Sequence, residues 1–234
     1  MPSESASQTA NRGEKGEELV RDLRNAITSG RYVPGQRLVE ADLTAELGVS
    51  RSLLREALQR LSAEGLVEIV PNRGAIVKRL SFVETVELFQ IRLELEALAA
   101  RLAAANMGEK KSRHSFEAAI SAIWSNESRL STAAYLNENE TFHAAIFSAS
   151  GNEQLAVLNR RLRLSLLMAQ IAPAITVDMM NRSLSEHRTI AGAILDRDSA
   201  AADAAARAHL NRAKTFMETI PANLFRSGNT PASR

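Results

Sequence analysis

A chain of 234 residues, 45% of them hydrophobic, can form one large domain or two ordinary ones and bury a core, which excludes a disordered chain. Its formal net charge of +2 supplies no global basic field, so a nucleic-acid partner has to be argued from where individual Arg residues sit. Cysteine is absent, which excludes disulfides and thiolate metal sites. No apolar run approaches the roughly 20 residues that span a bilayer, and the polar start MPSESASQTANRG lacks the apolar core of a signal peptide. A cytoplasmic protein without membrane contact is expected. Aromatics make up only 4% while Ala and Leu abound, which favours helices.

Residues 1–13 show no apolar periodicity and read as a disordered tail. From Glu17, the residues Leu19, Leu23 and Ile27 recur every four positions and Gly30 follows as a stop, which predicts a first helix. Pro34-Gly35 is a turn. Ala41 to Leu47 reads as a short helix, Gly48 as the tight turn after it, and Ser50 as the N-cap of a helix reaching about Glu64, with Gly65 behind it. Leu66 to Ile69 and Ala75 to Val77 are short β-prone runs joined by turn residues at 70–74, the pattern of a hairpin. Residues 14–80 therefore read as a helix-turn-helix with a β-hairpin wing.

A second domain is expected over 81–221, opened by Ser81 and Glu84 at capping-box spacing. Only helical periodicity follows, with breaks expected near 106–108, 126–131, 150–152, 172–173 and 197–198. Six or seven helices in an antiparallel bundle result, followed by a flexible tail over 222–234. The fold expected is mainly α. Trp124 and the phenylalanines are read as core residues, and His114 as exposed.

In the helix after Ser50, Leu54, Ala57, Leu58 and Leu61 form an apolar stripe, while Arg51, Ser52, Arg55 and Gln59 lie on the other side. Such a helix fits the major groove, where Arg51 and Arg55 can bond guanine bidentately. On its own it reads more readily as an amphipathic helix with solvated charges. The run GQRLVEADLTAELGVSRSLLREALQRLSAEGLVEIVPNRGAIV resembles the winged-helix domain of the GntR regulators, from about Glu17 to Arg79. That resemblance implies that Arg37 approaches phosphates and that Arg51 and Arg55 enter the major groove. It also puts Arg73 and Gly74 at the minor groove, and Ser50 and Ser52 on phosphates or base edges. Ser52-Leu53-Leu54 stands where many members carry Thr-Pro and a hydrophobic residue, a departure that bears on operator preference.

Farther along, Asn139 and His143 share a helix face at i, i+4. His187 and His209 are spaced to lie at one level of two antiparallel helices joined near Arg197-Asp198. Three imidazoles and one oxygen can converge there on zinc, nickel or a similar divalent ion. Each His alone reads more readily as a surface or satisfied core residue. The segment from about Ser81 to Ile220 resembles the all-helical FCD ligand-binding domain of the FadR subgroup, in which an Asp and three His bind a metal. Phe142-His143, Glu186-His187 and Ala208-His209-Leu210 match its motifs, and Asn139 stands where the family usually has Asp. Glu140 is the alternative source of a carboxylate. Arg92 matches a family Arg that faces the effector pocket; the competing reading is a surface pair with Glu96 at i+4.

The resemblance implies a dimeric transcription regulator, expected to be a repressor. It would act on a palindromic double-stranded operator and answer to a small carboxylate such as a sugar acid or an organic-acid intermediate. Three rivals stand beside it. One is a constitutive dimeric DNA-binding protein with a vestigial metal site, one a metal-dependent hydrolase built on the three His, and one an acyl-coenzyme A sensor.

Overall fold

The computed structural model describes residues 4–226 apart from 72, 126–130 and 163, and for 4–13 and 165 it describes the backbone alone. By its contacts the chain divides into two units, Met1–Arg79 and Leu80–Arg234.

In the first unit, helix α1 (Glu4–Thr28) is followed by strand β1 (Arg37–Leu38), helices α2 (Glu40–Leu47) and α3 (Arg51–Ala63), and strands β2 (Val67–Val70) and β3 (Gly74–Val77). The α3 stripe Leu54, Ala57, Leu58 and Leu61 is buried, as are Leu19, Val20, Leu23 and Ile27 of α1. Apolar faces of the two helices pack together, and two ion pairs flank the contact, Arg24–Glu64 at 2.7 Å and Arg60–Glu17 at 2.8 Å. Ser50 caps α3 by accepting from the Leu53 N–H, and Gly48 ends α2 in the left-handed region at φ 64°. Two features depart from expectation. Helix α1 starts at Glu4, within the stretch read as a tail, because Ser, Ala, Gln, Glu and Lys tolerate a helix without needing an apolar face. The wing is also a three-stranded antiparallel sheet in the order β1-β3-β2, not a bare hairpin.

Gly74 is the wing's steric pivot. Its φ is +96°, and a Cβ placed there would sit 2.1 Å from the Leu38 carbonyl oxygen of β1.

The second unit holds α4 (Phe82–Asn106), α5 (Lys110–Ala119), α6 (Thr132–Ala149), α7 (Glu153–Arg161), α8 (Leu164–Ile171), α9 (Val177–Leu195) and α10 (Ser199–Met217). Short 3-10 turns lie at Ser121–Trp124, Ala172–Ala174 and Ala222–Leu224. The capping box of Ser81 and Glu84 is present at the start of α4. Helix α4 is central and packs against α10, α6 and α9. Its small buried residues Ala97, Ala99, Ala100, Ala103 and Ala104 allow close approach on more than one side. The turn at 196–198, with Arg197 at φ 62°, joins α9 to α10, which pack side by side as short connections require.

Several expectations are corrected here. Trp124 is 46% exposed, because it ends a 3-10 turn whose inward residue is Ile123. Phe89, Phe116, Phe142, Phe147 and Phe225 are buried, whereas Phe82 and Phe216 are partly so. Residues 222–226, read as the start of a tail, fold onto the unit. The Phe225 ring meets Phe82 edge-on at 5.5 Å, and Arg226 N–H donates to the Leu80 carbonyl. His114 is exposed as expected. The break expected at 126–131 lies mostly outside the described residues, as does the 227–234 part of the tail.

Gly74→Ala is expected to destabilise the first unit by on the order of 2–3 kcal/mol through backbone strain and the Leu38 clash. Urea denaturation followed by circular dichroism reads this; an unchanged first transition would show that the wing does not need this backbone.

Candidate functional sites

Helix α3 presents Arg51, Ser52 and Arg55 on its exposed side, opposite the buried stripe. Arg55 is held by Glu40 at the start of α2: Nε donates to both carboxylate oxygens at 3.0 and 2.9 Å, and Nη2 lies 2.9 Å from Oε2. The Arg55 side chain keeps 61% of its exposure in that pair. An exposed pair of this kind adds little stability, but it restricts where the guanidinium points. Arg37 lies in β1 opposite Ile76 of β3, and its Nη2 is 3.5 Å from the Arg73 carbonyl, so Arg37, Arg73 and Gly74 share one end of the sheet. Ser50 is exposed and is engaged as the α3 cap. Sequence reasoning overlooked Glu40. Its signal was an acid at the first position of α2, placed to pair with an Arg on the exposed side of α3.

In the helical unit, His143 of α6, His187 of α9 and His209 of α10 come together, each buried, with candidate ligand atoms all within 4.8 Å of one another. Their ring centroids are 4.9 to 5.4 Å apart, and Phe142 stacks on His187 at 4.1 Å. Burial, with the other imidazoles nearby, depresses His187 well below the ordinary histidine value, and burial likewise lowers His209. Both are therefore neutral near pH 7, the form that ligates metals.

Two carboxylates missed from the sequence support these rings. Burial alone would push the Glu96 carboxyl up, yet Arg92 and His143 hold it well below the usual range, so it is ionised. Arg92 donates from Nε to Glu96 at 2.9 Å, with Nη2 at 2.7 Å, and both side chains are almost wholly buried. Glu96 Oε2 also lies 2.7 Å from His143 Nδ1. That contact is poorly aligned for a hydrogen bond, and among the described residues Nδ1 has no aligned partner. In the same way, Glu186 accepts from Arg212 and meets His209 Nδ1 at 2.7 Å, and despite half-burial these partners lower its pKa. Carboxylate–imidazole contacts of this kind fix ring orientation at metal sites. His187 Nε2 is 3.3 Å from Ser183 Oγ.

Asn139 is 5% exposed and lines a cavity with His143, His209, Arg92 and Arg212. Glu140 is exposed, because one step along a helix turns a side chain by about 100°. It does not face the histidines; the acids against them are Glu96 and Glu186, each 2.7 Å from a ring nitrogen. Arg92 is placed differently from a surface residue. The pair with Glu96 exists, but it is buried, and Arg92 also faces the cavity. An i, i+4 pair looks like surface decoration until the helix proves to be central, which is why its role was hidden in the sequence.

A model of the gntR family of bacterial regulatory proteins matches residues 15–77, and an FCD domain model matches 87–212. The chain is also 31% identical over 202 residues to the HTH-type transcriptional repressor GlaR of Escherichia coli K12, covering 80% of this chain and 89% of that protein. The chain belongs to the GntR family. This GntR regulator, with its FCD domain, is 30% identical over 183 residues to the Nta operon transcriptional regulator of Aminobacter aminovorans, covering 77% and 84% of the two chains. Its fold is that of E. coli McbR/YncC, with TM-score 0.74 at 20% identity over 87% of this chain and 97% of that one. The family and these relatives are DNA-binding transcription regulators and not enzymes, which removes the hydrolase rival. Among the described residues no helix is long and apolar enough to cross a membrane.

Glu96→Gln leaves the Arg92 charge buried without its counter-ion, and in metal-stripped protein it is expected to cost about 3–5 kcal/mol. Replacing both members, as Arg92→Met with Glu96→Leu, is expected to cost clearly less. Equal losses in urea denaturation would mean that the pair is not the source of the effect.

Proposed function

We propose that this regulator is a dimeric repressor whose operator affinity is set by a small carboxylate bound beside a metal ion in the helical unit. The observation that carries this reading is the buried cluster of His143, His187 and His209, two of which open on a cavity that Arg92 and Arg212 also line. Guanidinium groups recognise carboxylates through paired N–H donors, and a cluster of three imidazoles suits a borderline divalent ion such as zinc or nickel. His143, His187 and His209 would hold the ion, with the Asn139 carbonyl as the fourth donor. When bound, such an ion supplies a Lewis-acidic anchor for an anionic ligand. The vestigial-site alternative is disfavoured by the maintained surroundings: Glu96 and Glu186 each sit against a site imidazole.

On the DNA side, Arg51 and Arg55 are assigned to base edges, Arg37 to phosphates, and Arg73 with Gly74 at the wing tip to the minor groove, with Ser50 and Ser52 at the helix start on phosphates or base edges. Dimerisation follows from the palindromic operators that two-fold regulators read. Ligand response requires that binding favour one arrangement of the DNA-binding units over another. Helix α8 offers a path. Met168 and Ile171 line the cavity, while Gln170 between them accepts from the Leu80 N–H at 2.8 Å and donates to its carbonyl at 3.0 Å. Leu80 is the first residue after the DNA-binding unit.

Arg55→Ala is expected to weaken specific operator binding by about 1–3 kcal/mol, and affinity of the unaltered protein is expected to fall steeply as salt rises. Fluorescence anisotropy measures both, and undiminished binding by the variant would remove Arg55 from the readout. Independently, His187→Ala is expected to lose bound metal and ligand response while keeping operator affinity within a few-fold. Normal metal content by mass spectrometry in that variant would take the cluster out of the mechanism.

A further inference from the structure

We infer that the ligand of this cavity is a carboxylate carrying an apolar tail, and that polyhydroxylated sugar acids are turned away. The inference rests on the carboxylate reading above and adds the chemistry of the rest of the molecule. The cavity encloses about 490 Å³ including its open mouth. Besides the polar set already described and the hydroxyl groups of Tyr135 and Ser183, it is lined by the apolar Phe89, Met168, Ile171, Ile175, Met179 and Phe216. Their positions along the helices separate them from the histidines. Met179 lies eight residues before His187 on α9, and Phe216 seven residues after His209 on α10. At 1.5 Å of rise per residue these are offsets of about 10–12 Å. Helices α9 and α10, joined by a short turn, run in opposite directions, so both offsets point the same way. Phe89 lies seven residues before Glu96 on α4 and has the Arg92 guanidinium 5.0 Å from its ring centroid, at the border between the two regions. The cavity thus has a charged floor at the level of the imidazoles and an apolar wall extending away from it.

A carboxylate on that floor would run its remaining atoms along Met, Ile and Phe side chains. Methylene groups there leave water at a gain of about three- to fourfold in affinity each. Hydroxyl groups packed against those side chains would surrender their water to groups that offer neither donor nor acceptor, and beyond the floor only Tyr135 and Ser183 of the lining residues carry a hydroxyl that could replace it. Methionines and partly buried aromatics adapt to a flexible apolar chain better than to a rigid polyol.

The experiment is isothermal titration of the full chain, as purified, with acetate, hexanoate, octanoate, gluconate and octanol. Hexanoate and gluconate have the same carbon count and differ in hydroxylation, so they isolate the wall; octanol lacks the charge and isolates the floor. Expected are octanoate about tenfold tighter than hexanoate, acetate weaker than both, and gluconate at least tenfold weaker than hexanoate. Met179→Gln is expected to lower octanoate affinity several-fold and leave acetate unchanged. Gluconate binding as well as or better than hexanoate would overturn the apolar assignment while leaving the carboxylate reading in place. Octanol binding as tightly as octanoate, or no binding by any acid, would overturn the carboxylate reading and this inference with it. Octanoate binding that ignores Met179→Gln would place the tail elsewhere and overturn the assignment of this wall.

Discussion

The buried ion pair between Arg92 and Glu96 is the constraint around which the helical unit is arranged. A carboxylate taken out of water either finds compensating charge or gives up its own. Here Arg92 supplies the compensation from the same helix, and the anion stands against the His143 ring. The pattern occurs twice. Glu186 is likewise shared between one Arg, Arg212, and one imidazole, His209. Each carboxylate therefore orients a ring on one side and steadies a guanidinium on the other. Because α4 is lined with alanines, the neighbouring helices come close enough for rings from α6, α9 and α10 to meet over it. Small residues on α4 and charged residues in its middle are parts of one solution: the first brings the helices in, and the second gives the imposed polar centre its partners.

The winged unit applies the same logic with different energetics. Its ion pairs are exposed, so they add little to stability, and the stable part of the unit is the apolar contact of α1 with α3. That contact decides which face of α3 is hidden and so which face is left for Arg51 and Arg55. Glu40 then narrows the directions open to Arg55. Orientation is what an exposed pair can offer where stability is not needed, and it carries a consequence for recognition, since the guanidinium has to share or leave Glu40 to reach another acceptor.

Features set by neighbouring residues were legible in the sequence. The Ser81–Glu84 capping box, the Ser50 cap, the α3 stripe and the breaks after Asn106 and around Arg197 all depend on a few adjacent side chains and backbone angles. Those set by distant pairing were not. Strand β1 has two residues and exists only because β3 lies alongside it. Phe225 follows a proline and precedes Ser and Gly, so it looked like fraying until Phe82, far back in the chain, gave it a surface to cover. In the site, the histidines could be placed by spacing, but Glu96 and Glu186 could not, because their burial depends on which helix ends up in the middle. Helix α4 has an exposed stripe through Glu87, Ile91, Glu94 and Arg101, but its buried stripe carries Arg92 and Glu96 between Phe89 and Ala99, so the apolar period is broken at the site and the Arg–Glu pair had the spacing of a surface pair.

Asn139 draws these threads together. Among the charged groups at the floor of the cavity, Arg92 and Arg212 are matched by Glu96 and Glu186, and burial keeps His187 and His209 neutral. An Asp at position 139 would add a negative charge to that balance, whereas the amide adds none. On the reading proposed above, a divalent ion held by three imidazoles and an amide keeps its whole charge uncompensated by the groups that touch it. The cost of a buried, uncompensated charge falls most when an anion completes the site. In such a site the ligand's carboxylate does the work that an aspartate does elsewhere, and metal retention and ligand binding become linked, each strengthening the other by the same factor.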